Sequence, residues 1–184
     1  MLTLRTKLFY LEKTKRQKDC NDMEKILIVE DDITFGTMIQ TWLKKKGFEV
    51  EKTTSVKAAI QTWDKVENGF DLVLSDLRLP DHDGIFLLQW MRKHGMQVPF
   101  IVMTSYAEIQ NVVLAMKSGA TDYVAKPFHP DILLEKIKEA IKNHNTSSLS
   151  EKNIEQREAT GNQEPIDNKK VSGNTESKGN VDVP

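Results

Sequence analysis

The 184-residue chain contains one cysteine, Cys20. A lone thiol excludes an internal disulfide and leaves no thiolate cluster for a metal. Long apolar runs are also missing. None approaches the ~20 residues a helix needs to cross the hydrocarbon core of a bilayer. Excess charge is missing too. The 26 basic and 27 acidic residues leave a formal net charge of −1, which argues against a protein that coats nucleic acid by bulk electrostatics. A soluble, cytoplasmic chain without a membrane partner is expected. Hydrophobic residues make up 39% and charged residues 29%, so the average is polar. One folded domain with extensions that do not pack accounts for both length and composition.

Those extensions lie at the two ends. In residues 1–22, Arg5, Lys7, Lys13, Lys15, Arg16 and Lys18 interrupt Leu2, Leu4, Leu8, Phe9, Tyr10 and Leu11. A signal peptide has an unbroken apolar stretch of ~7–15 residues and a small-residue cleavage site, and neither is present. A basic, disordered leader is expected, with Met23 directly ahead of the first strand. From Asn145 to Pro184 the chain is rich in Ser, Thr, Asn, Glu, Lys and Gly and has no aromatic residue. It shows no helical or alternating period, so a disordered polar tail or linker is expected. It has no room for a helix-turn-helix or other output domain. The folded domain is then residues 23–144.

Within that domain strands and helices alternate. Ile26–Val29 is a continuous apolar run, as in a strand covered on both faces, and Glu30, Asp31 and Asp32 follow it. Phe35, Ile39, Trp42 and Leu43 recur at helical spacing over 33–46, with Gly47 as the C′ residue. Residues 48–53 form a more polar strand, as expected at a sheet edge. A helix over 55–68 carries Ala59, Trp63 and Val66. The Trp and Met side chains of these stripes are expected in the core. Leu72–Leu74 is the third buried strand, with Asp76 at its carboxyl end and Pro80 and Asp83-Gly84 marking a loop. A helix from Gly84 to about His94 presents Leu87, Leu88 and Met91. Residues 99–104 are the fourth strand, ending at Thr104-Ser105. A helix over 107–118 carries Ile109, Val112, Val113 and Met116. Asp122–Ala125 is the fifth strand, followed by Lys126-Pro127. Pro130 opens a helix with the stripe Leu133, Leu134, Ile137 and Ile141.

Five strand–helix units imply a parallel sheet with right-handed crossovers and helices on both faces. All strand carboxyl ends of such a sheet share one edge, where open α/β sheets place their ligand crevice. Glu30, Asp31, Asp76, Thr104 and Lys126 all stand at or just after strand ends. Three adjacent acids after one strand repel one another. Asp32 is explained as a cap of the following helix; Glu30 and Asp31 suit a hard cation such as Mg2+. An aspartate can carry an acyl phosphate, given a metal and a cation to neutralise the phosphoryl oxygens. Asp76 would be that nucleophile, Lys126 the cation and Thr104 a hydroxyl donor. Lys126 would pair with Asp76 before phosphorylation.

The stretches ILIVEDD at 26–32, LVLSDLRLPDHDG at 72–84, IVMTSYA at 101–107 and GATDYVAKPF at 119–128 together resemble the receiver domain of two-component response regulators. VVLAMKSGATDYVAKPF is most similar to receivers attached to nitrogen-regulation-type ATPase transcription activators. The resemblance implies a flavodoxin-like (βα)5 three-layer sandwich with strand order 2-1-3-4-5. It implies Asp76 as phosphoacceptor, and Glu30, Asp31, Asp76 and the Arg78 backbone carbonyl as ligands of Mg2+ or Mn2+. Thr104 then matches the switch hydroxyl, Tyr123 the switch aromatic, Lys126 the phosphate-contacting lysine and Pro127 a cis proline. Arg78 and Tyr106 match positions that tune autodephosphorylation. The implied donor is a phosphohistidine on a sensor kinase or phosphotransfer protein, so His82, His94, His129 and His144 are expected to be solvent-exposed and without a chemical role. The face built from 107–118, 122–125 and 130–144 is the implied contact for a partner, often a second receiver, and DNA would be reached only through an output domain. The implied protein is a phosphoacceptor switch with self-phosphorylation and autodephosphorylation chemistry, not a turnover enzyme.

The missing output leaves two readings, a stand-alone receiver acting by protein binding or an N-terminal piece of a longer regulator; others are a scaffold without phosphorylation and a Mg2+-dependent aspartate-nucleophile phosphohydrolase. The last expects a second aspartate two positions after the nucleophile, where this chain has Arg78.

Overall fold

The computed structural model describes residues 23–105 and 109–159. The leader, the tail beyond Ala159 and Tyr106 lie outside the described residues. Five strands, β1 (Lys25–Val29), β2 (Glu49–Thr53), β3 (Leu72–Asp76), β4 (Phe100–Ser105) and β5 (Asp122–Lys126), alternate with five helices. These are α1 (Ile33–Lys45), α2 (Val56–Lys65), α3 (Gly84–Lys93), α4 (Ile109–Lys117) and α5 (Pro130–Ala159). The strands are all parallel, in the order β2-β1-β3-β4-β5. The expected topology is the observed one, and the polar strand β2 is indeed an edge.

The two-residue period of each strand sorts the core into two layers. Ile26 and Ile28 of β1, Leu72 and Leu74 of β3, and Ile101 and Met103 of β4 pack with Ile39 and Leu43 of α1 and Leu133, Ile137 and Ile141 of α5. Leu27 and Val29, Val73, and Phe100 and Val102 point to the opposite face. There they meet Val56, Ala59 and Trp63 of α2, Leu87, Leu88 and Met91 of α3, and Ala115 of α4. The central strands are buried on both sides, which is why they read as unbroken apolar runs.

Four features depart from the sequence reading. Helix α2 ends at Lys65 rather than 68, because Val66 is extended (φ −87°, ψ 118°) and turns its side chain onto the core. On α4 the buried positions are Val112 and Ala115, whereas Val113, Leu114 and Met116 stay exposed; Met38 of α1 is also exposed, and Trp42 only half-buried. His94 is buried rather than solvated: its Nδ1 donates to the Trp90 carbonyl at 2.7 Å and its ring lies 4.3 Å from that of Trp90. His82 and His129 are exposed as expected, and His144 is half-buried. Finally, α5 does not stop at His144 but runs to Ala159. Good helix formers such as Glu, Lys, Gln, Arg and Ala populate 151–159, and they extend a helix without an apolar stripe. At the join, the Thr146 and Ser147 hydroxyls donate to the carbonyls of Lys142 and Asn143. Ser150 begins a second unit, whose described residues, to Ala159, are helical.

The N-termini of α1, α2 and α3 are anchored by side chains, which satisfy orphan amides. Asp32 caps α1, Ser55 caps α2 and Asp83 caps α3. Helix α2 has a second anchor. Asp81, in the loop after β3, accepts the amides of Val56 at 3.0 Å and Lys57 at 2.8 Å. Its partial burial pushes its pKa up, but the amides of Lys57, Val56 and His82 outweigh this and hold it below 3.8. A depressed folded-state pKa means that the ionised form stabilises the fold. Asp81→Ala should therefore cost about 1 kcal/mol at neutral pH, the ordinary worth of a helix cap. The difference from wild type should hold above the unfolded-state pKa and shrink as the pH falls through the lowered one. Urea titrations of both proteins at pH 7 and at pH 3 measure it.

Candidate functional site

The register of the sheet assembles the site. Val29 pairs with Ser75, which puts Glu30 beside Asp76; Asp76 pairs with Met103, which puts it beside Thr104; Ser105 pairs with Lys126. Backbone pairing continues past the strand ends, with the Glu30 amide on the Thr53 carbonyl at 3.0 Å and the Leu77 amide on the Met103 carbonyl at 3.1 Å. The carboxyl-terminal edge is thereby held stiff where its polar side chains stand.

Lys126 stands on the edge strand β5, two strands away from β3. Neighbouring strands are ~4.8 Å apart, so a long side chain is needed to return over β4. Its ammonium donates to Asp76 Oδ2 and to Glu30 Oε2, each at 2.6 Å. The side chains of Glu30, Asp76 and Lys126 are 2%, 14% and 22% exposed. At that depth the pair of acids is tolerable because an ammonium lies between them. Burial pushes the Glu30 carboxyl above its ordinary pKa, more than Lys126 pulls it down. Burial lowers the Lys126 pKa, but its bonds to Asp76 and Glu30 prevail and it stays raised. The ammonium is thus charged at neutral pH.

Asp76 is also gripped from the other side, since its Oδ1 accepts the Arg78 amide at 3.2 Å. Gly84, at the first position of α3, closes the space behind. Its amide donates to the Leu77 carbonyl at 2.8 Å, and a Cβ on this residue would overlap the Asp76 backbone carbonyl. The Asp83-Gly84 pair reads in sequence as a loop marker; only packing shows that a glycine is needed for α3 to abut the end of β3.

Glu30, Asp31 and Asp76 each offer a carboxylate oxygen, all within 4.8 Å of one another. Asp31 is exposed, so this corner opens to solvent. Three carboxylates with open water positions are a donor set for a hard divalent cation that keeps part of its hydration shell. The Lys126 bridge shows that this corner calls for positive charge. Asp32 stays outside the set: its Oδ1 accepts the Phe35 amide at 2.9 Å as the cap of α1. Thr104 is buried beside the cluster, with its hydroxyl donating to the Ser105 carbonyl at 3.1 Å. Tyr123 is not in the crevice. The residue is 44% exposed, and the Lys136 ammonium sits 5.8 Å from the ring centroid. The Lys126-Pro127 bond is cis, as the resemblance implied.

The model of the response regulator receiver domain matches residues 26–138. The regulatory protein AtoC of Escherichia coli K12 is 39% identical over 111 residues, covering 60% of this chain and 24% of AtoC. The transcriptional regulatory protein ZraR of Klebsiella oxytoca is 38% identical over 117 residues, covering 63% of this chain and 26% of ZraR. This chain thus spans about a quarter of the length of these curated relatives. Among solved structures, a CheY-like response regulator receiver domain protein from Methanospirillum hungatei JF-1 superposes with a TM-score of 0.64. It is 32% identical and covers 68% of this chain and 99% of its own.

The Lys126 bridge generates a test of the site's electrostatics. Lys126→Met leaves Glu30 buried without its counter-charge. The metal-free protein should lose about 2 kcal/mol, less than a fully buried broken pair because the site is partly open. Millimolar Mg2+ should recover more stability in the variant than in the wild type, since no ammonium competes for the carboxylates. Denaturation curves with a chelator and with Mg2+ measure both effects.

Proposed function

Since the chain belongs to the response regulator receiver domain family, we propose that it is the phosphoacceptor switch of a cytoplasmic two-component relay, with Asp76 as the acceptor. The observation that carries this reading is the Lys126 ammonium held at 2.6 Å from both Asp76 and Glu30, beside three converging carboxylates. Glu30, Asp31 and Asp76, with the Arg78 backbone carbonyl, would hold Mg2+, or Mn2+ in its place. The ion supplies charge neutralisation to the phosphoryl oxygens when bound.

An Asp76 carboxylate oxygen attacks the phosphorus of a phosphohistidine on a sensor kinase or phosphotransfer protein. An O–P bond forms, the P–N bond breaks, and its electron pair returns to the donor imidazole, which takes up a proton. Lys126 exchanges its bond to Asp76 for one to a phosphoryl oxygen. The Thr104 hydroxyl turns from the Ser105 carbonyl to donate to another. The added charge of roughly −1.5 to −2 and its acceptor oxygens drive that exchange. Thr104's movement leaves room for the Tyr123 ring to swing inward from its exposed position. The face of α4, β5 and α5, where Val113, Leu114, Met116 and Tyr123 are exposed, then repacks for a partner such as a second receiver. Relatives named as regulators, one of them transcriptional, favour an output in gene control, through an attached domain of the nitrogen-regulation ATPase type or through protein binding alone.

The same site read as a phosphohydrolase would turn over. Arg78 occupies the place of that class's second aspartate and gives Asp76 its amide, which favours the switch. With Mg2+ and acetyl phosphate, the wild-type chain should take up one phosphoryl group and Asp76→Asn none. Intact-protein mass spectrometry reads this; label persisting in the variant, or sustained release of phosphate without a labelled intermediate, would sink the reading.

A further inference from the structure

One contact at the crevice is not accounted for by the acids. The Lys126 ammonium lies 4.6 Å from the centroid of the Phe35 ring, within cation–π range. In sequence Phe35 is an ordinary apolar position of α1. In the fold it is only half-buried, and it is held on two sides. Its backbone amide is bound by Asp32 Oδ1 at 2.9 Å, and its ring meets Phe128 edge-on, with centroids 5.8 Å apart and planes at 63°. Both rings pack against the core layer beneath α1 and α5. Asp32 thus acts through the backbone, setting the start of α1 so that the ring faces Lys126.

We propose that Phe35 is a positioning residue for Lys126, keeping its ammonium in the crevice while the charged partners change. This rests on the phosphoacceptor reading of Asp76. Both anions that Lys126 now touches are altered by the proposed function. Glu30 is needed for a divalent cation, and the Asp76 carboxylate loses its charge when one of its oxygens bonds to phosphorus in the acyl phosphate. The face of a neutral ring is unaffected by either event, so its attraction is the one that persists throughout the exchange. Without it, a flexible four-carbon side chain on an edge strand is drawn to solvent.

The test uses the full chain with Phe35→Leu, which keeps apolar volume and removes the π face, and Phe35→Trp, which keeps the face. Phe35→Met replaces the leucine variant if that one does not fold. Labelling by saturating acetyl phosphate with Mg2+ should slow about three- to tenfold in Phe35→Leu, the range expected for a partly exposed cation–π contact. Phe35→Trp should stay within about twofold of wild type. In a Lys126→Met background the leucine substitution should produce no further slowing. In the metal-free protein, acylation of Lys126 by acetic anhydride, which releases acetate, read by peptide mass spectrometry, should be faster in Phe35→Leu and unchanged in Phe35→Trp. Wild-type labelling and acylation rates in Phe35→Leu, or equal slowing with and without Lys126, would overturn the role of Phe35 alone. A wild-type chain that takes no label would remove the phosphoacceptor reading and this one with it.

Discussion

The structure depends on one ammonium placed between two carboxylates. Glu30, Asp31 and Asp76 bring oxygens within 4.8 Å of one another. Two unit charges at that separation repel by roughly 3 kcal/mol at an effective dielectric of 20. Lys126 offsets this in the resting protein, which allows an acidic corner to exist on the rim of a closely packed sheet. The same bond defines the resting state chemically. Through it Lys126 engages one oxygen of Asp76 and one of Glu30.

Packing beneath the rim is uneven around the site. The central strands are covered on both faces, and pairing runs one residue past the ends of β1 and β3. Gly84 lets α3 abut the end of β3, and Asp81 ties the following loop to the start of α2. On this side the site is braced. On the other, Tyr123 of β5 and Val113, Leu114 and Met116 of α4 are exposed.

The buried strands were legible because they are apolar on both faces, and the parallel order of units followed from their alternation with helices. Asp32 was legible as a cap because a third acid had no other favourable place. The places where the reading failed share a cause. Val66 leaves the helical region to reach the core, His94 is covered by Trp90, and Val113 and Met116 sit on a helix whose inner stripe is narrower than its apolar content. Each depends on a neighbour that local periodicity does not contain. The helical course of 145–159 differs in kind: its residues favour a helix individually, but without an apolar stripe they lack the period by which a helix is recognised.

For residues 23–144 the sequence alone determined the order of strands and helices, that the sheet is parallel, and which polar residues stand on its carboxyl edge. These are consequences of local pattern and of a crossover rule that leaves few topologies. Only the tertiary structure decided which of those polar groups touch. Lys126 reaches Asp76 and Glu30 because strand spacing and side-chain length match, and Tyr123 lies outside because its position on an edge strand gives it an exposed rotamer beside Lys136. Phe35 became part of the site because α1 and the segment after β5 meet over one core layer, a meeting of residues some ninety positions apart.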